Sequence, residues 1–448
     1  MFNKIFIILR VLILLLIFHA SQAQTRINLQ QAIDSATKNN LQVQQAILSE
    51  NNSVLDVLKS KSSLYPNLNV NVSSNLEFGR NLDPTNYLYV NQTTVSSAEN
   101  IVSTVTLFQG FEKLNQIKQN KLILESSKSA VQKIKNDVTL QVVATYLNIL
   151  KFKNQLIAAQ QQNKFAIQQL DYENKNFNKG KKILADVSRA KFQLSKTEVD
   201  IANIQNQINN STVDLLQLMN ASSNLKLDFE EPLDNNIEVL KRSIEDIYSY
   251  SSKILPEIKQ AEFSKQAAMT QIKIAKGNYY PILTLTGAVA TAYSRQLNAP
   301  LLFLNSSYPF FRQLNTNLYE YFSVNLSIPI FNNLNNKIAL SKAKNAFYSA
   351  SINEQQVKNA VYKIINQAEG DLETSLKNYT TSQKANESAT ETFKAISKRY
   401  QSGLSSSLDF TQAQNDMNSA QFTLIHDKYD LIFKSKVIDF YLGKPISY

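Results

Sequence analysis

Asn176-Phe177-Asn178-Lys179-Gly180-Lys181-Lys182-Ile183-Leu184-Ala185-Asp186-Val187-Ser188-Arg189-Ala190 returns 223 positions later as Arg399-Tyr400-Gln401-Ser402-Gly403-Leu404-Ser405-Ser406-Ser407-Leu408-Asp409-Phe410-Thr411-Gln412-Ala413. Phe177, Gly180, Asp186 and Ala190 are answered by Tyr400, Gly403, Asp409 and Ala413. In each copy a helical stretch meets a polar turn whose glycine stands where a helix C-cap favours a left-handed residue. A return helix follows, so each copy reads as a helical hairpin. Further upstream, Gln45, Ala46, Tyr65 and Pro66 recur as Gln260, Ala261, Tyr280 and Pro281 at an offset of 215. Phe108 and Phe331 already carry the larger offset, so the difference is absorbed between Pro281 and Phe331. A repeat this long is one structural unit duplicated.

Working outward from the turns, two long segments carry helical periodicity, Phe111–Phe177 and Asn332–Tyr400. In the second, Val357, Val361, Ile364, Ala368, Leu372, Leu376 and Tyr379 form a stripe stepping by about 3.7 residues, near the eleven-residue repeat of almost straight packed helices. One apolar stripe on so long a helix packs laterally against similar helices. At 1.5 Å per residue each segment spans roughly 100 Å. The polar run Gln160–Lys164 reads as a wet surface. Return helices are expected over Ala185–Met219 and Ser407–Phe440, and shorter leading helices over Leu29–Ser62 and Ile244–Lys276.

Between the shorter and longer helices the period changes to two. Asn67–Phe78 sets Leu68, Val70, Val72, Leu76 and Phe78 against Asn67, Asn69, Asn71, Ser73, Asn75 and Glu77. Ile282–Ser294, Ala98–Phe108 and Glu320–Phe331 alternate in the same way. Strands of this length with one apolar and one polar face fit a tilted membrane-barrel strand. A soluble four-stranded sheet packed on helices would show the same alternation. The duplication, the long helices and a secretory leader favour the membrane reading. Four strands are too few to close a membrane barrel, and open edges are not tolerated in lipid. Three chains give twelve strands and twelve helical staves. Two chains would give eight strands, around a lumen filled with side chains. Tyr65, Phe78, Phe108, Tyr279, Tyr280, Tyr321 and Phe331 crowd the strand ends and could supply interfacial belts.

Composition narrows the chemistry. Lys4, the apolar stretch Ile5–Phe18 and Ser21-Gln22-Ala23 form a signal peptide with cleavage expected after Ala23. Cysteine is absent, and His426 is the only histidine beyond the leader. Thiolate chemistry and multi-histidine metal sites are thereby excluded, and His426 reads as a helix-surface residue. No cofactor and no catalytic residue is expected, although a carboxylate pair alone could hydrolyse glycosides. The net charge of +11 becomes +9 once Lys4 and Arg10 leave. The lysines are scattered among Asn and Gln, which argues for a solvated surface and against a nucleic-acid partner.

Several motifs resemble the TolC-type outer-membrane efflux channels. They are Leu29-Gln30-Gln31-Ala32 with Asn39-Asn40-Leu41, Leu64-Tyr65-Pro66, Thr106-Leu107-Phe108-Gln109-Gly110 and Ala144-Thr145-Tyr146-Leu147-Asn148-Ile149-Leu150. The hairpin tips around Gly180 and Gly403 are the most specific of the set. The resemblance covers essentially the whole mature chain. It implies an α+β membrane protein, a homotrimer in the outer membrane of a Gram-negative bacterium. Four strands per chain would form a twelve-stranded β-barrel, continued by a long α-helical barrel in the periplasm. The partners implied are outer-membrane lipid, a periplasmic adaptor and an inner-membrane RND or ABC pump. Domain limits follow as 1–23 signal, 24–220 first repeat, 221–243 equatorial linker and 244–448 second repeat.

The resemblance also places function. Adaptor docking falls on Phe177, Lys179, Gly180, Lys181, Tyr400, Gly403 and Leu404. The family usually carries apolar residues beside the tip glycine. The second tip keeps Leu404, whereas the first has Lys179, Lys181 and Lys182 and would suit an acidic adaptor surface. A periplasmic aperture falls on Glu387, Glu391, Lys394 and Lys398, where Lys394 would make the constriction electropositive if luminal. A solvated outer face, with lysines answering the helix dipole, accounts for these charges equally well. Asp186 and Asp409 read as helix N-terminal carboxylates. The competing function is a periplasmic coiled-coil adaptor without a channel. Adaptors, however, carry one hairpin and Gly-rich β-domains, and this chain has two hairpins and only 8 glycines.

Overall fold

A computed structural model describes residues 25–82, 87–91, 93–231, 243–297 and 309–444. The signal segment, residues 232–242 of the expected linker and residues 298–308 lie outside the described residues. In order, the elements are β1 (Thr25–Ile27), α1 (Leu29–Asn39), α2 (Leu41–Ser62), β2 (Asn67–Glu77), β3 (Arg80–Leu82), β4 (Tyr89–Asn91), β5 (Thr94–Gln109), α3 (Glu112–Asn178) and α4 (Leu184–Leu218). The second half has β6 (Leu227–Phe229), α5 (Ile244–Ile254), α6 (Pro256–Gly277), β7 (Ile282–Gln296), α7 (Phe310–Thr316), β8 (Tyr319–Ser327), α8 (Asn335–Gln401) and α9 (Ser407–Tyr441). The duplication holds to the residue in the helices. Each half contains helices of 11, 22, 67 and 35 residues in the same order.

The leading helix of each half is two helices. In the first half the break is Asn40. Its side-chain oxygen accepts from Gln42 N–H at 2.9 Å and its amide donates to Leu218 O at 2.9 Å. Asn40 thus starts α2 while tying it to the end of α4. In the second half the break is Leu255, held extended (φ −63°, ψ 127°) before Pro256, which disfavours helical backbone at the preceding residue. The single helices expected over Leu29–Ser62 and Ile244–Lys276 are corrected accordingly.

The chain forms two compact units. One comprises the residues up to Leu48, Ser129–Lys259 and those from Val357 onward. Its main core gathers Leu29, Ala32 and Ile33 of α1, Val142, Tyr146 and Leu150 of α3, Leu215 of α4 and Ile432 of α9. Tyr146 is 1% exposed, and its hydroxyl lies 3.0 Å from Ile27 O and 2.8 Å from Glu230 O. It fastens the short parallel pair β1–β6, in which Arg26 faces Asp228. That pairing is what the described part of the linker does. A second core joins α5 and α6 to Val361, Ile365, Ala368 and Leu372 of α8 and Leu431 of α9. The α8 stripe therefore runs through Ile365, fully buried, and not Ile364, which is 45% exposed. The mean step is the same through either residue, so spacing alone does not choose between these neighbours; packing against α5, α6 and α9 does. Nor is Gln160–Lys164 wholly wet. Gln162 is buried, and the Asn163 amide donates to Thr197 Oγ1 of α4 at 3.0 Å.

The other unit comprises Ser49–Lys128 and Gln260–Gln356. It carries an antiparallel sheet in the order β2-β5-β7-β8. Register puts Val70, Ile101 and Val289 on one face, and Asn71, Asn100 and Ala290 on the other. β2 and β8 are the outer strands, and every residue of both is exposed, including Val72 and Phe322. β5 and β7 run longer than expected. β8 stops at Ser327, just before Ile328-Pro329, because proline cannot donate to a ladder. At the sheet's base a Cβ on Gly110 (φ +54°) would fall 2.3 Å from Gly277 O, so only glycine lets these backbones meet. Between β2 and β5, β3 and β4 form a short antiparallel ladder, with Arg80 over the Tyr89 ring. α7 seals the free edge of β7. The Gln313 side chain donates to Ser294 O and accepts from Ser294 N–H, each at 3.0 Å, standing in for a strand. No described helix is long and apolar enough to cross a membrane.

Candidate functional site

The two hairpin tips are closed by the same backbone device. At the first, Gly180 N–H donates to Phe177 O (2.9 Å) and Lys181 N–H to Asn176 O (2.9 Å). At the second, Gly403 N–H donates to Tyr400 O (3.0 Å) and Leu404 N–H to Arg399 O (2.8 Å). Gly180 and Gly403 have φ +68° and +75°. These are Schellman caps, which the glycines allow without strain.

Around that shared turn the copies diverge. Ser406 caps α9 with a full capping box. Its hydroxyl accepts from Asp409 N–H, and the Asp409 carboxylate accepts from Ser406 N–H, each at 3.1 Å. The hydrogen bond from the Ser406 side chain, with its backbone N–H in support, holds the Asp409 carboxyl below the usual range. α4 instead starts after Ile183, which gives no side-chain cap. Asp186, in its first turn, pairs with Arg189 at 3.7 Å, and Arg189 donates to Ser407 Oγ of α9 at 2.9 Å. Both acids therefore serve helix starts, as their positions suggested.

Phe177, Lys179, Gly180, Lys181, Gly403 and Leu404 lie exposed at the turns. Ile183 and Leu184 are 67% and 64% exposed, so the first tip presents apolar side chains just beyond its lysines. In the sequence the lysine run masks them. Tyr400 is different. It is 2% exposed, stacked on Phe410 at 4.9 Å, with Lys182 Nζ 3.9 Å above its ring. Its hydroxyl donates to Glu173 Oε1, which also accepts from the Gln169 amide. Glu173 is 1% exposed, and its other oxygen has no hydrogen-bond partner. Burial first, then the Glu173 carboxylate, pushes the Tyr400 hydroxyl pKa far up, so it remains a donor. α3 and α8 are thus tied by one polar bond in an apolar cluster of Phe393, Tyr400, Phe410 and Ala413.

Glu387, Glu391, Lys394 and Lys398 are exposed at spacings of four, three and four along α8. These spacings align them on one face of the helix. Ser382, Phe393 and Tyr400 occupy the opposite, buried face. The row expected at the aperture therefore lies on the face opposite the buried residues of α8.

Duplicated hairpins joined to an exposed four-stranded sheet define a chain of the channel-tunnel class. The sequence agrees, because the chain matches the outer membrane efflux protein family over residues 32–221 and 254–444 and belongs to it. Solved structures share the fold at low identity. CusC has a TM-score of 0.78 at 19% identity, covering 93% of this chain and 92% of its own. The outer membrane protein VceC of Vibrio cholerae gives 0.74 at 14%, covering 94% and 97%. The Campylobacter jejuni CmeC outer membrane channel gives 0.76 at 16%, covering 93% and 85%. No curated protein matches the sequence.

Proposed function

We propose that three copies of this chain share a twelve-stranded β-barrel in the outer membrane, and that their helices form the periplasmic duct beneath it. The protein then acts as the passive exit of a tripartite efflux or type I secretion system. The carrying observation is the sheet. Its outer strands are exposed on both faces, with Leu68, Val70, Val72, Phe322 and Val324 open and no strand of this chain beyond them among the described residues. Such a sheet suits lipid on one face and further strands at its edges. Exposed Tyr65, Tyr280 and Phe331 at the strand ends would sit at the interfaces.

The tips would meet a periplasmic adaptor through Phe177, Ile183, Leu184, Leu404 and Leu408, framed by Lys179 and Lys181. The adaptor would bridge to an RND or ABC pump. Glu387, Glu391, Lys394 and Lys398 would line the aperture, and firm cation selectivity in single-channel recordings would remove Lys394 from it. The Tyr400–Glu173 bond would hold the hairpins together while the duct is closed. Nothing is catalysed in this scheme.

The test is the native mass of the protein extracted from outer membranes in mild detergent. A detergent-corrected mass of three mature chains supports the shared barrel. A water-soluble monomer would leave the adaptor or scaffold reading in its place.

A further inference from the structure

The shared barrel needs copies to meet at the open edges of β2 and β8, and the duplication specifies how. One register governs both repeats. Asn67 faces Thr104 across β2–β5. Advancing β2 by 215 and β5 by 223, the offsets of the repeat, gives Ile282 and Ser327, which face each other across β7–β8. Asn75↔Ser96 maps in the same way onto Ala290↔Tyr319. Pairing within a repeat was copied without a slip.

The junction between repeats, β5–β7, has no second instance inside the chain. Its counterpart would join β8, the copy of β5, to another β2, the copy of β7. We propose that this junction is made with the β2 of another copy of the chain, in the register that the same offsets dictate. Ser103↔Gly287 becomes Leu326 opposite Val72 of the next copy, and Val105↔Leu285 becomes Ile328 opposite Val70. Glu99↔Thr291 becomes Phe322 opposite Leu76. On the other face, Asn100↔Ala290 becomes Ser323 opposite Asn75, and Val102↔Ala288 becomes Asn325 opposite Ser73.

Two independent features agree. A one-residue slip would turn one strand's apolar side chains to the wrong face. The derived register instead sets Phe322, Leu326 and Ile328 against Leu76, Val72 and Val70, and sets Ser323, Asn325 and Ser327 against Asn75, Ser73 and Asn71. Ser74, opposite Val324, and Glu320, which the same offsets set opposite Phe78, are the polar residues on the apolar side. The second feature is Pro329. It corresponds to Thr106, the residue at which the β5–β7 ladder shifts register before Phe108. The missing N–H therefore falls where the parent junction is already interrupted.

The inference rests on the shared-barrel reading but fails separately from it. Because the chain has no cysteine, pairs can be introduced on a clean background. Leu326→Cys with Val72→Cys tests one face, and Asn325→Cys with Ser73→Cys the other. One of these rows is the non-hydrogen-bonded one, where side chains lie closest. Mild oxidation in intact membranes should convert most of at least one variant to covalent species of up to three chains on a non-reducing gel. Leu326→Cys with Val70→Cys or Ser74→Cys, displaced by two residues, should remain single chains. Cross-linking of a displaced pair in preference to the matched ones overturns the register and leaves the barrel standing. So does an absence of matched cross-links in a protein whose mass is that of three chains. A monomeric mass with no cross-link anywhere overturns the barrel as well.

Discussion

The two hairpin tips share a backbone and differ in how the side chains around it pack. Both end a 67-residue helix in a Schellman turn at a left-handed glycine, and both begin a 35-residue return helix. At the position just inside the turn, however, Phe177 is 39% exposed and Tyr400 is 2% exposed. The partner of Tyr400 is Glu173, whose counterpart in the second half is Ile396. The duplication supplies the scaffold. The polar tie joins positions that the duplication does not relate.

The largest effect should come from breaking that asymmetry directly. Tyr400→Ala removes a buried ring and leaves the Glu173 carboxylate without its hydroxyl donor, a loss of about 3–5 kcal/mol from the ring alone. Phe177→Ala, half in solvent, should cost about 1 kcal/mol. Hydrogen exchange in the last turns of α3 and α8 would read both. Equal losses of protection would mean that the tips are energetically equivalent despite their packing.

The glycines test the shared half of the comparison. Each has open space where a Cβ would go, so only the backbone conformation opposes a side chain. Gly180→Ala and Gly403→Ala should each cost about 1–2 kcal/mol, and by the same amount. Unequal costs in matched thermal melts would show that the turns differ in more than their surroundings.

The caps come next. Ser406→Ala should destabilise the start of α9 by about 1 kcal/mol, whereas Ile183→Ser should add stability to α4. pH sharpens this contrast. The folded Asp409 pKa lies below its unfolded value, so its contribution is full above the unfolded value and disappears as pH falls through the folded one. Ser406→Ala should flatten that acid dependence, which melts between pH 7 and pH 3 would measure. An unchanged acid slope would assign the depressed pKa to a group other than Ser406.

Much of this was legible in the chain. Gly180 and Gly403 announced the turns and the alternation at Asn67–Phe78 the sheet, whereas Pro256 marks a helix break that the unbroken expectation over Ile244–Lys276 passed over. What stayed hidden depended on contacts far away in sequence. Asn40 breaks its helix because its amide finds Leu218 O, which no local pattern reveals. The three-residue strands β1 and β6 are too short to carry a period. The Glu173–Tyr400 bond joins residues 227 positions apart on two helices whose face-to-face alignment the sequence does not give. Pro329 marks the end of β8, while the alternating apolar residues continue through Ile330 and extend the expected strand past it.

The smallest effect tests whether Lys182 belongs to the tie or only to the surface. Its ammonium lies 3.9 Å above the Tyr400 ring, within cation–π range, and the second tip has Ser405 at the matching position. A cation on the ring face opposes nothing in the hydroxyl–carboxylate bond, so the two interactions should add. Lys182→Met keeps an unbranched side chain over the ring and removes the charge, and should cost about 0.5–1 kcal/mol. In a Tyr400→Leu background the same substitution should cost almost nothing, because the π face is gone. A double-mutant cycle on tip hydrogen exchange would separate these outcomes. Additive costs would return Lys182 to the exposed lysines of the first tip, and the polar hold on Tyr400 would then rest on Glu173 alone.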